Sequence, residues 1–313
     1  MTTEVPDRAA ALALEPMRPA GPRKGFVGGT IASIKDVVAH RELLDLLVRR
    51  ELKARYKDSA LGFLWSLARP LAMLLIYYVV LGQFLGQARG LPGFAVFIYS
   101  SLTAWGFFSE AVSAATGSVV NNAGLVKKVY MPREVFPLAA IGSAAFNFAV
   151  QLVVLFAAVT FFGEFPTGAR WIYFPLSLVV LFAWGTAIGL ILAAVNVYLR
   201  DVQYLVEIAI MIFFWASPIV YSWTFVQSSL QGWVSEPVAR LLMNIYLSNP
   251  ATTAVLGFQR TFWVAGDGTP DNPLPQVSHL GLRLTIVAVV GIIFLWVAQR
   301  IFARLQANLA QEL

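Results

Sequence analysis

The chain has 313 residues, of which 58% are hydrophobic and 13% charged, about half the ~25% charged share of a soluble domain, and cores of this size cannot hide so much apolar surface. A soluble single-domain enzyme does not fit, and the bilayer is the expected solvent. Cysteine is absent, which removes disulfide scaffolds, thiolate metal sites and cysteine nucleophiles, while 23 Lys and Arg against 17 Asp and Glu leave a net charge of +6.

Residues 1–35 mix Pro, Gly, Arg and Glu with short Ala runs and show no sustained period, so they read as a mobile cytoplasmic tail without a signal peptide's charged start and apolar core. From Asp36 to Lys57 a helical pattern sets in. Leu43, Leu44, Leu47, Val48 and Leu52 fall on one arc, and Glu42, Asp45, Arg49, Arg50, Lys53 and Lys57 on the other. Too charged to span, this basic amphipathic helix (36–58) is expected to lie flat on the membrane surface, or to dock on a partner.

Six apolar stretches follow, at about Ala60 to Gly86, Phe94 to Val119, Leu138 to Phe162, Trp171 to Tyr198, Tyr204 to Tyr221 and Leu280 to Phe302. Each is near the ~20 residues that ~30 Å of hydrocarbon requires of a helix, and no alternating strands suggest a barrel. The predicted class is an all-α integral membrane protein with six transmembrane helices. With that topology 17 Lys and Arg lie on the side of the tail and five lie opposite, which predicts cytoplasmic termini and needs no nucleic-acid partner. The longest external connection, 222–279, contains two short apolar-periodic stretches, Glu236 to Leu247 and Asn249 to Val264, each opened by a residue pair suited to a helix start, Glu236-Pro237 and Asn249-Pro250. They read as external or re-entrant helices. Gly266 to Pro275 then reads as a loop.

Catalytic patterns are missing. No G-x-x-x-x-G-K-[ST], H-E-x-x-H or G-x-S-x-G occurs, and His40 and His279 are predicted on opposite sides, so no metal site, catalytic residue or bound cofactor is expected. Within the spans the ionisable residues are Arg69, Glu110 and Glu207, each of which needs a partner, water or the headgroups. Arg69, followed by Pro70, reads either as a cation facing a pathway for an anionic substrate or as a structural pair or snorkelling side chain at a kink. Glu110 reads as structurally partnered and Glu207 as interfacial. Aromatic residues are dense at Tyr77-Tyr78, Trp105, Phe107-Phe108 and Phe213 to Trp215. They are interface anchors and packing, or flat apolar faces along which sugar rings could slide.

Several blocks carry a resemblance. Arg55-Tyr56-Lys57-Asp58-Ser59-Ala60-Leu61-Gly62-Phe63-Leu64-Trp65 with Pro70, Met131-Pro132-Arg133-Glu134-Val135-Phe136-Pro137, Asn196-Val197-Tyr198-Leu199-Arg200-Asp201-Val202, and Ser217-Pro218-Ile219-Val220-Tyr221 with Asn249-Pro250 occur in order. From about residue 36 onward the chain resembles ABC-2 type permeases that export O antigen, teichoic acid or mycobacterial galactan.

The resemblance implies a plasma-membrane permease working as a homodimer on a lipid-linked polysaccharide, with a separate ATPase subunit that uses ATP and Mg. It implies an interface helix over 36–58, a coupling loop over 121–136 and external gate helices within 222–279. The conduit candidates are then Arg69, Tyr77, Tyr78, Phe213 and Phe214. The coupling candidates are Lys127, Lys128, Arg133 and Glu134, a charged, Pro-bounded element whose cations could equally serve topology alone. The gate candidates are Arg240, Asn249, Pro250 and Arg260. Rival readings are an ABC-2 drug or lipid exporter, an ion-gradient-driven transporter that the sparse intramembrane acids disfavour, and a membrane glycosyltransferase or scaffold lacking the expected carboxylates.

Overall fold

A computed structural model describes residues 26–56, 65–86, 90–128, 131–269, 272–306 and 309–313, and among these the chain is almost wholly helical. In order the helices are α1 (Phe26–Ala39), α2 (Arg41–Tyr56), α3 (Trp65–Tyr77), α4 (Phe94–Asn121), α5 (Ala123–Lys128), α6 (Val135–Phe161), α7 (Tyr173–Tyr198), α8 (Val202–Trp215), α9 (Trp223–Trp233), α10 (Glu236–Ser248), α11 (Pro250–Phe262), α12 (Leu280–Leu305) and α13 (Leu309–Glu312). A short antiparallel ladder pairs Gly268 with Pro273 and Thr269 with Asn272 inside the segment expected to be a loop.

Among the described residues three helical segments are long and apolar enough to cross a membrane: Val135–Phe161, Gly168–Tyr198 and Leu280–Leu305. Two of the other expected spans are shorter apolar helices, Pro70–Phe84 and Val202–Trp215. Helix α8 stops at Trp215 because Ser217-Pro218 follows, and proline both lacks the N–H that a further turn needs and pushes the residue before it out of the helical region. The remaining one, α4, has 28 residues, about 42 Å of helix at 1.5 Å per residue, but Ser, Thr, Gly and Glu110 dilute its apolarity.

Position explains that composition. Helix α4 is enclosed by α6, α7 and α11 and is also touched by α3 and α8, so Ile98, Ala104, Phe107, Ala111 and Ala115 are inaccessible. Its Ser100, Ser101, Thr103 and Thr116 hydroxyls donate to carbonyls three or four residues back, which satisfies them without disturbing the helix ladder. Small residues set the close crossings. Gly189 of α7 lies against Ala115, Gly257 of α11 against Ser177 and Gly291 of α12 against Trp184, small residues of the kind that let helices approach closely in lipid. A second core joins α2, α5, α6, α7 and the ends of α4 and α12 through Leu47, Val126, Phe136, Leu190, Val119 and Phe302. Both described chain ends therefore meet at one end of the bundle, called here the terminal end.

One expectation changes. The described residues are helical from Phe26 onward, inside the stretch read as tail. Gly28 and Gly29 hide it from a propensity reading, whereas packing supplies what propensity lacks, because Trp296 of α12 donates to the Thr30 hydroxyl at 3.0 Å. Helix α2 packs along the bundle. Val48 rides over Gly142 of α6 and Arg55 reaches Glu110, which also bonds Asn147 of α6, so the helix climbs the side of α6. Residues 57–64 and the side chain of Arg69 lie outside the described residues.

Candidate functional site

The first feature is an aromatic wall on α3, α4 and α8. Tyr77 stacks on Phe214 with ring centroids 6.0 Å apart and planes at 26°. Phe214 meets Trp105 edge-on at 6.0 Å, and Trp105 meets Phe108 at 5.9 Å. Two of the sequence candidates, from the first and fifth expected spans, are thus brought together over a third residue whose partnership the sequence did not signal. Tyr78 turns away, toward Phe94 at 6.5 Å. The divergence has a local cause: after Tyr77 the helix widens to i→i+5 bonding over Tyr78–Phe84, a bulged geometry common where helices carry function. Phe213 faces outward, with Tyr204, Ile208, Met211, Ile212 and Trp215 also exposed on α8. Such a wall offers shape and flat apolar faces, with no titratable group among the rings that meet there except the tyrosine hydroxyl.

At the terminal end the four charged coupling candidates separate. Lys127 and Lys128 stand exposed on the short helix α5, which Val126 pins to the core. Arg133 turns inward and donates to the Gln306 carbonyl at the end of α12, a favourable place for a cation against a helix's last carbonyls. Glu134 is only 4% exposed, so it anchors the element from within and has no outward face. It accepts from Ser33 of α1 at 2.6 Å and from Gln299 of α12 at 3.1 Å. Burial pushes its carboxyl above the usual range, and the bonds from Ser33 and Gln299 and the Arg300 charge offset that only in part.

The far end is built by the α10–α11 hairpin. The Asn249 side chain accepts from the Ala251 N–H at 3.0 Å and Pro250 occupies the first turn of α11, an N-cap followed by proline. Nearly every residue of α11 is buried, so this helix re-enters the bundle, and Gln259 donates there to Ser101 at 2.8 Å and to the Pro218 carbonyl at 2.7 Å. Arg260 pairs with Asp267, which also pairs with Arg170. Arg170 in turn donates to the carbonyls of Arg260 at 3.0 Å and Trp263 at 3.4 Å, closing the carboxy end of α11. Partial burial alone would raise the Asp267 carboxyl, but the two guanidiniums outweigh it and hold the group below its ordinary value. Arg240 stays on the solvent side, paired with Glu236 one turn back at 3.0 Å.

Between these ends, Glu110 finds the structural partnership expected of it in Arg55 and Asn147, while Glu207 is exposed on α8. Among the described residues no three of His, Asp and Glu gather as metal ligands would.

The family profile described as ABC-2 type transporter matches residues 42–236. The O-antigen export system permease protein RfbA of Myxococcus xanthus is 28% identical over 285 residues, spanning 90% of this chain and all of that protein. A protein of the same description from Klebsiella pneumoniae is 28% identical over 79% of this chain and 90% of its own length. The polysialic acid transport protein KpsM of Escherichia coli is 24% identical over 57% of this chain and 69% of its own.

Proposed function

The chain belongs to the ABC-2 type transporter family, and on that premise we propose that it is the membrane-spanning permease subunit of an ATP-driven exporter that moves a lipid-linked polysaccharide out of the cell. The observation that carries this reading is the alignment with an O-antigen export permease over 90% of this chain and the whole of that relative. Polysaccharides of the O-antigen, teichoic acid and galactan type are the cargo class. With no phosphate-binding loop of its own, the chain draws its energy from a separate ATPase subunit with its ATP and Mg.

In this reading the chain crosses the plasma membrane six times with both termini in the cytoplasm, supported by the 17-to-five bias of Lys and Arg. Two copies line one conduit, with Tyr77, Phe214 and Trp105 in its wall. Arg69 contributes from α3, Phe213 from α8 and Tyr78 from the widened turns that follow α3. Residues 121–136 transmit the ATPase stroke. Lys127 and Lys128 form the contact surface and Arg133 and Glu134 fasten the element to α1 and α12, so that a push on α5 reaches α4 and α12. The α10–α11 hairpin, with Arg240, Asn249, Pro250 and Arg260, forms the external gate. The nearest rival, an ABC-2 exporter of drugs or simple lipids, shares this machinery and differs in cargo.

The test is depletion of the chain in cells that make such a glycan. Undecorated cell surfaces with lipid-linked glycan accumulating inside are expected, and normal surface glycan would overturn the cargo. A variant with 121–136 replaced by a Gly/Ser linker should insert yet neither export nor stimulate its ATPase. Export that persists without the ATPase would favour an ion-driven transporter instead.

A further inference from the structure

A cavity of about 420 Å³ lies at the far end, between α9, α10 and the start of α12. It belongs neither to the aromatic wall nor to the coupling element. Its volume falls in the range of small-molecule sites, ~300–1,000 Å³.

Two stripes face one another across it. On α9, Trp223, Gln227 and Gln231 recur at intervals of four, and on α10, Glu236, Arg240 and Asn244 do the same. Residues spaced i, i+4 share one face of a helix, so each helix lays a row of polar groups along the cleft's solvent-facing side, with Ala239, Met243, Leu247 and Val277 lining the rest. The Trp223 ring is half-buried and, among the described residues, meets no other ring and donates its indole N–H to no acceptor. Gln227 and Gln231 likewise have no side-chain hydrogen bond there. Arg283 of α12 closes the floor, fixed by Asn244 at 2.8 Å and by the Ser278 carbonyl at 3.4 Å.

Charge narrows the ligand. Glu236 neutralises Arg240 at 3.0 Å, which leaves Arg283 as the one uncompensated charge among the lining residues. A polyanion would need more cations, whereas a mixed lining, apolar along Ala239, Met243, Leu247 and Val277 and amide-bearing beside them, suits the apolar faces and hydroxyl edges of a sugar ring. Side-chain amides both donate and accept, as a row of sugar hydroxyls requires, and a planar indole with a free N–H suits the face of a pyranose ring.

We infer that the cleft between α9 and α10 holds a stretch of neutral or singly charged glycan at the exit of the pathway. The inference rests on the proposed export of a glycan and adds a binding site to it. Each released segment would be retained by the cleft, so that it does not slip back between strokes.

The full chain, co-expressed with its ATPase in cells that make the glycan, decides the matter by photocross-linking. A benzophenone amino acid replaces Gln227 or Gln231, or Phe225, which is 67% exposed and outside the cleft. Glycan adducts are expected from 227 and 231 at least fivefold above 225, and equal yields at all three would overturn the site. In parallel, Gln227→Ala/Gln231→Ala and Trp223→Ala should lower surface glycan several-fold while leaving ATP hydrolysis unchanged. Export within twofold of the parent by inserted variants would also overturn it. If cells lacking the chain still display the glycan, glycan export by this chain itself fails. Chain-dependent export with silent cleft variants removes only the cleft. Should the alanine variants fail to insert, the single-site adducts still separate a glycan-filled cleft from an empty one.

Discussion

Arg55, near the end of α2, forms an ion pair with Glu110 in the interior of α4, and Asn147 of α6 donates to the same carboxylate oxygen at 2.7 Å. Three helices are tied at one oxygen, and the amphipathic helix is thereby fastened to the most enclosed helix of the bundle. An applied tilt of α2 would pull on α4 directly.

The pair is half-exposed, 42% for Arg55 and 27% for Glu110. Its worth should lie between the ~0–1 kcal/mol of exposed pairs and the ~3–5 kcal/mol lost when a buried pair is broken. Glu110→Ala and Arg55→Ala are each expected to destabilise by about 1–2 kcal/mol, and the double variant by less than their sum. Thermal unfolding of the purified protein checks this, and strict additivity would show that the pair does not couple.

Packing at Gly257 makes a sharper prediction. A Cβ built there falls 1.9 Å from the Ser177 hydroxyl oxygen and 3.1 Å from Leu284, between two rigid helices. Gly257→Ala should cost at least the ~1–3 kcal/mol typical of overpacking, seen as loss of monodisperse protein in size-exclusion chromatography. Ser177→Ala removes the closest atom and should restore much of the loss. Gly232→Ala, which meets nothing within 4 Å in α9, should be neutral or slightly stabilising.

Two carboxylates should titrate stability in opposite directions. Asp267 is held low by Arg170 and Arg260 against its partial burial. Its contribution is complete above the ordinary carboxylate range and is lost as pH falls through its depressed folded value. Glu134 is pushed up by burial, so its contribution is greatest below the ordinary value and is lost as pH rises through the raised one. Melting curves should therefore show Asp267→Asn weaker than the parent by about 0.5–1 kcal/mol at neutral pH, a modest figure because the site is screened, with the gap closing in acid. Glu134→Gln should be at least as stable as the parent at neutral pH and lose that advantage in acid. Parallel curves for both variants at every pH would refute the assignments.

The candidate site was legible unevenly, and the reasons are physical. The helix start at Asn249-Pro250 depends on two adjacent residues, so local chemistry predicted it. The depth of α11 and the central place of α4 were hidden. In a membrane protein lipid-facing and protein-facing residues are both apolar, so periodicity tells which residues are oily and not which neighbour covers them. The small and hydroxylated residues of α4 were the available signal. Charge position was hidden for the opposite reason: Lys127 and Glu134 look alike in a charged loop, yet one is exposed and the other lies under α1 and α12. Arg170 carried no pattern at all, since its partners come from residues about 90 positions away.

The Tyr77–Phe214 stack separates packing from passage. An aromatic pair contributes ~0.5–1.5 kcal/mol beyond its buried area, and both rings are only half-buried on their common partner α4. Tyr77→Ala and Phe214→Ala should each lower stability by about 1–2 kcal/mol, little enough for the protein to insert. If the rings only pack, export should follow the amount of inserted protein, and Tyr77→Leu and Phe214→Leu, which keep apolar bulk, should export normally. If glycan slides along them, the leucine variants should insert at parental levels yet export several-fold less, because a branched aliphatic side chain offers no flat face. Glycan on the cell surface, measured per inserted chain, distinguishes the two, and full export by both leucine variants would remove these rings from the conduit wall.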